Sequence, residues 1–343
     1  MDKFHKYKGK IEVIPTEGMS RVRWLINRQM GLGGSDMGTI LGLNKYFSKL
    51  ELFYQKIGMN FEAEEDSNVA AAMGQVTEDN ILMLGSHYDI TSGEWLDNWR
   101  HGVIEREIKH FPYMVRNTDY PWMIANIDGA INPVTKRKIT TMERIAEAKM
   151  ISRQSADMWE SRIPPYHIAQ QIMYQLVLSP ILEYDESYIF YLEDGTKFSM
   201  VPVAMADAPN IRDELIEESY KFWVSILKGK EILDNEKNEA LRDKGLSELE
   251  PEPDDTERYR QFLSKLFIDK ESRIEIEGTD EVFDWGIKYQ EYNERKKEFE
   301  AKKSEAQNNI LKFMRDNQAG KIDFGTRGHI TYNKRLYVSC LDL

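Results

Sequence analysis

The sequence predicts an α/β protein with a central mixed β-sheet flanked by helices, followed by a helical extension and a short β-hairpin. Two observations carry this prediction. Between residues 20 and 233, stretches of helical and of strand-like periodicity follow one another as helix, strand, strand, helix and hairpin. Beyond residue 259, helical periodicity dominates until "KIDFGTRGHITYNKR", which reads as a β-hairpin. Between the two lies "DNEKNEALRDKGLSELEPEPDDTER", residues 234–258. It is rich in Asp, Glu and Pro and poor in apolar residues, and reads as an acidic linker. The expected organisation is therefore an arm over 1–19, a main domain over 20–233, the linker, and an accessory region over 259–343.

The elements follow in order. "RVRWLINRQM" spaces apolar residues helically among Arg21, Arg23 and Arg28, which predicts a helix ending at Arg28. A flexible turn through Gly31, Gly33 and Gly34 comes next, and Ser35 is expected to cap a second helix. This run is neither of the nucleotide cradles it superficially matches. Gly34, not Lys, precedes Ser35, which removes the P-loop; no β-branched strand precedes the glycines, which removes the dinucleotide fingerprint. What remains is a turn whose free N–H groups suit an anion.

"SKLELFYQKIG" carries a Ser48/Glu51 capping box, an apolar face at Leu52, Phe53 and Ile57, and Gly58 as a stop. "VAAAMGQVTEDNILMLG" is a further predicted helix. "YPWMIANIDGAINP" and "ERIAEAKM" read as two strands joined by a turn around "PVTKRK", which puts Asp128 and Glu147 on neighbouring strands. "SADMWESR" reads as a short helix stopped by Pro164 and Pro165, and "YHIAQQIMYQLVL" as an amphipathic helix. "SYIFYLEDGTKFSMVPV" reads as a hairpin turning at Asp194-Gly195. Trp95 and Trp99 are expected in the core. Trp285, Tyr289, Tyr292 and Phe299 are expected to form a packing seam on a helix from Val282 to about Asn317, paired antiparallel with the helix at "TERYRQFLSKLF".

Composition excludes several classes. At 343 residues and 41% hydrophobic, the chain can bury a large core. No run approaches the roughly 18 apolar residues of a membrane helix, and "MDKFHKYKGK" is too charged for a signal peptide, so a cytoplasmic protein is expected. The single Cys340 excludes an internal disulfide framework and cysteine-rich metal sites, and the six His form no His-Glu-x-x-His pair. A net charge of −12 argues against unspecific coating of nucleic acid but leaves room for a local cationic groove.

The chemistry lies in the acids. Glu147 and Lys149 in "EAK" project from one face of a strand, because side chains repeat every two residues. With Asp128 on the adjacent strand, the carboxylates suit a hard divalent cation such as Mg²⁺, and Lys149 can position a hydroxide near it. Glu-x-Lys alone is common, so the pattern gains weight only from its surroundings.

Five segments in order supply those surroundings. "RQMGLGGSDMGTILGLNKY" with "SKLELFYQKIG", then "MGQVTEDNI", "NIDGAI", "EAK" and "PYHIAQQIMY" together resemble the YqaJ-type viral recombinases, relatives of the lambda exonuclease in the PD-(D/E)XK nuclease superfamily. The resemblance covers about residues 20–205. It implies a restriction-endonuclease-like core and a Mg²⁺-dependent exodeoxyribonuclease, with Mn²⁺ as a substitute, that resects linear duplex ends 5′ to 3′ for phage-type recombination. A DNA-end-binding or endonucleolytic protein on the same fold is the alternative. Carried over by position, Asp128, Glu147, the Ala148 carbonyl and Glu78 would hold metal. Lys149 would act on water, and Gln170 and Tyr174 would stand beside the metal site. Arg28 and Ser35 would grip a DNA phosphate. Glu78 is preferred over Asp79 because it falls four residues after Gly74. The implied partners are double-stranded DNA ends, a single-strand annealing protein, and further copies of the chain in a ring trimer, in a bacterial host cytoplasm and away from membrane.

Overall fold

The computed structural model describes residues 9–59, 69–134, 141–153, 155, 159, 163–268, 276–332 and 336–339. The chain divides into two compact units, Met1–Asp269 and Lys270–Leu343.

The first unit begins with strand β1 (Ile11–Pro15), helix α1 (Arg21–Gln29), the two-residue β2 (Leu32–Gly33), α2 (Gly34–Ile40), α3 (Lys49–Ile57) and α4 (Val69–Gly85). Short strands β3 (Tyr88–Asp89) and β4 (Glu94–Trp95) precede β5 (Arg106–His110), β6 (Tyr113–Asn117), β7 (Tyr120–Ala125), β8 (Gly129–Pro133) and β9 (Arg144–Ile151). Helix α5 (Pro165–Leu178) leads to the hairpin β10 (Glu186–Glu193) and β11 (Lys197–Ala204). The unit then closes with α6 (Pro209–Asn235), α7 (Glu239–Ser247) and α8 (Glu257–Ile268).

The central sheet has the order β11-β10-β9-β8-β5. β9 and β10 are parallel and the other neighbours antiparallel, so the sheet is mixed, as expected. A second sheet, β1-β6-β7-β2, joins β2 to β7 in parallel. Alternation along β9 sends Ala146 and Ala148 to a cluster with Ile81 and Leu82 of α4 and Phe190 of β10. Ile145 and Ile151 face the larger cluster that contains Ile172, Met173 and Leu176 of α5. Alanines on the α4 side let that helix approach the sheet closely, and Glu147 is left pointing to the α5 side.

Several expectations need correction. "YPWMIANIDGAINP" is two strands in two sheets, not one: the chain passes from β7 to β8 through Asn126–Asp128. The passage is tight, since a Cβ on Gly129 would come within 3.2 Å of the Lys109 carbonyl. Much of the expected arm is β1, whose Ile11 is buried and which pairs with β6. Within the expected linker, Asn238 caps α7 and Leu246 is buried. Its polar residues bind α3: Tyr54 Oη donates to Glu250 Oε1 at 2.5 Å, and Arg258, the last residue of the stretch, pairs with Glu51 at 2.7 Å. Low hydropathy hid an element anchored by hydrogen bonds. Helix α8 accordingly belongs to the first unit. Trp95 is 37% exposed, stacked on Trp99 with centroids 4.5 Å apart, and is not core. The turn around "PVTKRK" and the short helix "SADMWESR" lie largely outside the described residues. Among the described residues, no helix is long and apolar enough to cross a membrane.

The second unit consists of α9 (Asp280–Asp316), capped by the Thr279 hydroxyl, and the strands β12 (Lys321–Asp323), β13 (His329–Tyr332) and β14 (Leu336–Ser339). β12 and β13 form the expected hairpin, and β14 extends it to a three-stranded antiparallel sheet. The aromatic residues expected to form a buried seam on α9 are exposed, Trp285 at 62% and Tyr289 at 70%.

Candidate active site

Antiparallel pairing of β8 and β9, with Gly129 opposite Ala146, brings Asp128 to the level of Glu147. The Ala148 N–H donates to Asp128 Oδ2 at 2.9 Å, which fixes that carboxyl at the strand end. Glu147 is 1% exposed, and its Oε1 accepts from Lys149 Nζ at 2.5 Å and from Gln170 Nε2 at 2.8 Å. The same Gln170 amide lies 3.1 Å from the Tyr174 hydroxyl, one helical turn along α5. Glu147 Oε2 is buried with no hydrogen-bond partner. Glu78 approaches from α4, and His110 Nδ1 lies 3.8 Å from its Oε1.

The electrostatics describe an acid pocket short of positive charge. Burial pushes Asp128 up to about 6, with Glu78 adding to the rise and Lys149 opposing it. Burial and the Asp128 charge push Glu147 up to about 7. Glu78 is raised by burial, then by Glu147 and Asp79. Burial pulls Lys149 down, but Glu147 and Asp128 outweigh it, so the ammonium holds its proton more firmly than an ordinary lysine. His167, next to this cluster, is driven down to about 3 by burial and by Lys149.

Whether the pocket suits a divalent cation can be judged from its oxygens. Among the described residues, no three His, Cys, Asp or Glu side chains already converge on one point as an ion-holding group. The donor set is nevertheless the hard-oxygen type that Mg²⁺ and Mn²⁺ take, and the orphaned Glu147 Oε2 is a buried acceptor without a donor. The residues fit such an ion.

The glycine-rich stretch forms the adjoining wall. Arg28 Nη2 donates to Ser35 Oγ at 2.8 Å, and Arg28 Nη1 lies 3.5 Å from Asp36 Oδ2. Lys56, 5% exposed on α3, donates to Asp36 at 2.8 Å and to the Gly31 carbonyl at 2.9 Å. The Gly33 N–H also donates to Asp36, at 2.8 Å. The turn is therefore cross-braced rather than flexible. Ser35 does not cap α2: the cap is Gly33, and the carboxylate that serves it belongs to Asp36. A Cβ on Gly33 would fall 1.4 Å from Arg28 Nη1, and one on Gly34 would fall 2.6 Å from the Tyr174 ring. The glycines are what let Arg28 close in on one side while Tyr174 and Gln170 close in on the other. A cavity of about 360 Å³ opens on the Arg28 side, lined by Trp24, Arg28, Ser35, Asp36 and Lys56 among others.

The structure places the residues singled out in the sequence in two neighbouring groups. Glu78, Asp128, Glu147, Ala148, Lys149, Gln170 and Tyr174 form the acid pocket, and Arg28 and Ser35 the grip. Sequence reasoning missed Asp36, Lys56 and His110. Lys56 carried one signal, a lysine directly before the apolar Ile57 on a helix otherwise read as core-facing.

Residues 23–180 match the YqaJ-like viral recombinase domain. That span includes every residue from Arg28 to Tyr174 named above. A protein of Bacillus subtilis (strain 168), the uncharacterized protein YqaJ, is 27% identical over 305 residues, covering 89% of this chain and 81% of its own length. Among solved structures, the alkaline exonuclease LHK-Exo of Laribacter hongkongensis is 13% identical with a TM-score of 0.43, over 62% of this chain and 95% of its own. Its complex with dAMP gives the same values. A phage-related exonuclease from Haemophilus somnus 129PT is 11% identical with a TM-score of 0.36, over 57% of this chain and 95% of its own. The matched span holds the acid cluster and the glycine-rich turn, and the second unit lies outside it.

Proposed function

We propose that the protein is a metal-dependent deoxyribonuclease that resects linear duplex DNA from 5′ ends, 5′ to 3′, for phage-type recombination. The observation that carries this reading is the adjacency of an anion grip and a buried acid pocket across a glycine wall, with Gly34 against Tyr174 and Gln170. Mg²⁺, or Mn²⁺ in its place, would be held by Asp128, Glu147, Glu78 and the Ala148 carbonyl. When bound, the ion supplies neutralisation of phosphoryl charge and acidity for the attacking water.

The chain's own groups do the rest. Lys149 keeps its proton, so it serves as a fixed cation toward the attacking water and the developing negative charge, not as a base. Gln170 holds the Glu147 carboxyl in orientation through Oε1, leaving Oε2 for the ion. Arg28 presents its guanidinium to a phosphate beside the Ser35 hydroxyl, and a terminal phosphate offers it a dianion. A single-strand annealing protein would take up the exposed strand.

The test compares linear with closed-circular duplex DNA in Mg²⁺, in Mn²⁺ and with chelator. Linear DNA should be degraded only with metal, and the circle should survive. Equal loss of both substrates would replace the exonuclease reading with an endonuclease, and metal-dependent binding without cleavage would replace it with an end-binding protein.

A further inference from the structure

Helix α5 carries His167, Gln170 and Tyr174 at spacings of three and four, so the three side chains share one face of the helix. Gln170 is buried and holds Glu147, and for that its own amide must be held. A carboxamide has two donors at one end and an acceptor at the other, and a half-turn about its last bond exchanges them. The half-turn would set an oxygen against the Glu147 carboxylate where an N–H now donates at 2.8 Å. The Tyr174 hydroxyl, 3.1 Å from the same Nε2, can donate or accept and so tolerates either orientation. The amide oxygen faces the other way, toward His167 Nδ1 at 3.4 Å. An acceptor in that place needs a hydrogen on Nδ1.

His167 can supply one. Burial and the Lys149 charge keep its imidazole neutral, so one ring nitrogen carries hydrogen and the other does not. With the hydrogen on Nε2, Nδ1 and the amide oxygen would be two acceptors face to face. The ring is also clamped where it stands: its centroid lies 4.4 Å from that of Tyr166 and 5.1 Å from that of Trp159, and the His167 backbone N–H donates to the Pro164 carbonyl at 2.9 Å. A ring that cannot swing away keeps its donor on Gln170.

We infer that His167 is a positioning residue, which in its Nδ1–H form donates to Gln170 Oε1 and thereby fixes the amide that holds Glu147 for a cation. This rests on the proposed reading that Glu147 takes a divalent ion, and it gives a task to a residue that the reading leaves unused.

The tautomer is the direct test. In a long-range ¹H–¹⁵N spectrum of the metal-free, full-length protein at neutral pH, the His167 signals, assigned by their loss in His167→Phe, should show Nδ1 protonated and Nε2 bare. The opposite tautomer overturns the inference. Two variants then separate the hydrogen bond from the ring. His167→Phe keeps a flat ring against Tyr166 and Trp159 and removes the donor, whereas His167→Asn keeps an N–H close to the place of Nδ1 and removes the ring. Calorimetric Mn²⁺ affinity should fall about tenfold in His167→Phe and stay within about threefold of wild type in His167→Asn. His167→Asn should nevertheless melt lower, since it gives up the ring contacts. Unchanged affinity in His167→Phe, or an equal fall in both variants, assigns His167 to packing and overturns the inference. A wild type that takes up no Mn²⁺ defeats the metal reading instead, and the tautomer then decides the His167–Gln170 contact alone.

Discussion

Asp36, largely buried, and Glu147, fully buried, are carboxylates that each have a lysine ammonium at hydrogen-bonding distance, yet their surroundings drive them in opposite directions. Asp36 receives Lys56, the Gly33 N–H and the nearby Arg28 guanidinium. Burial pushes it up, but Arg28 and Lys56 together hold it below the usual carboxylate range. Glu147 shares its one ammonium with Asp128, keeps an oxygen without a donor, and rises to about 7. A carboxylate with more donors than it needs is a brace. One with fewer is poised for a cation. The difference separates the braced half of the site from the half that, on the proposed reading, would take an ion.

The largest effect that could break this contrast is on turnover. Glu147→Gln and Asp128→Asn should each lower the rate on linear duplex by at least roughly 10²–10³-fold. Melting of the metal-free protein should be unchanged or shifted upward, because each change removes an under-compensated buried charge. Wild-type cutting by either variant would dissolve the acid pocket as an assignment. Lys149→Ala should also lose cleavage but retain Mn²⁺ binding by calorimetry, since an ammonium is not a ligand.

Asp36→Asn is the mirror experiment. It strands Lys56 and Arg28 without their shared anion, and a buried pair broken on one side costs about 3–5 kcal/mol. Denaturant unfolding should show this loss, and none of similar size for Glu147→Gln. Equal destabilisation would mean that the two acids are alike after all.

The pH dependence sharpens the comparison further. Folded Asp128 and Glu147 titrate near about 6 and about 7, above unfolded values of about 3.9 and 4.3. Between those limits the folded state holds more protons than the unfolded one, so their contribution to metal-free stability falls as pH rises. Asp36 acts in reverse: its contribution is full above the unfolded value and is lost as pH falls through its lowered folded one. With chelator present, the melting advantage of Glu147→Gln over wild type should grow from about pH 5 to about pH 8, and apparent Mn²⁺ affinity should rise across the same window as protons leave the ligands. A flat difference would contradict the raised Glu147.

The smallest expected effect concerns the end itself. Duplexes with a 5′ phosphate should be degraded faster than those with a 5′ hydroxyl, and Arg28→Ala should shrink that preference by roughly tenfold while reducing basal cutting less. Initial rates on both substrates at one salt concentration measure it. Absence of the preference in the wild type would leave Arg28 and Ser35 as a grip on internal backbone.

Much of this site was legible from local rules. Period two along β9 placed Glu147 and Lys149 together, Ser48 capped α3 as its spacing required, and the Asp194-Gly195 turn has both residues at positive φ. What stayed hidden depends on partners distant in sequence. Alternation shows that "YPWMIANIDGAINP" is extended but not that its halves join different sheets. The residues around 250 look unstructured because their anchors are Tyr54 and Glu51, about two hundred positions away. Lys56 looks like a surface residue until Asp36 is found beside it. Ser35 looks like a cap because the carboxylate that serves the turn is one residue further on.

The two glycines of the wall carry a consequence for how the pockets communicate. Between the Arg28 guanidinium and the Tyr174 ring stands a single thickness of peptide, and Arg28 already acts on Tyr174 through its charge. Across so short a distance, a dianion bound beside Arg28 would alter the potential felt by Tyr174. On the proposed reading, occupancy of the Arg28 side would thereby be reported to the acid cluster through charge, with no moving part.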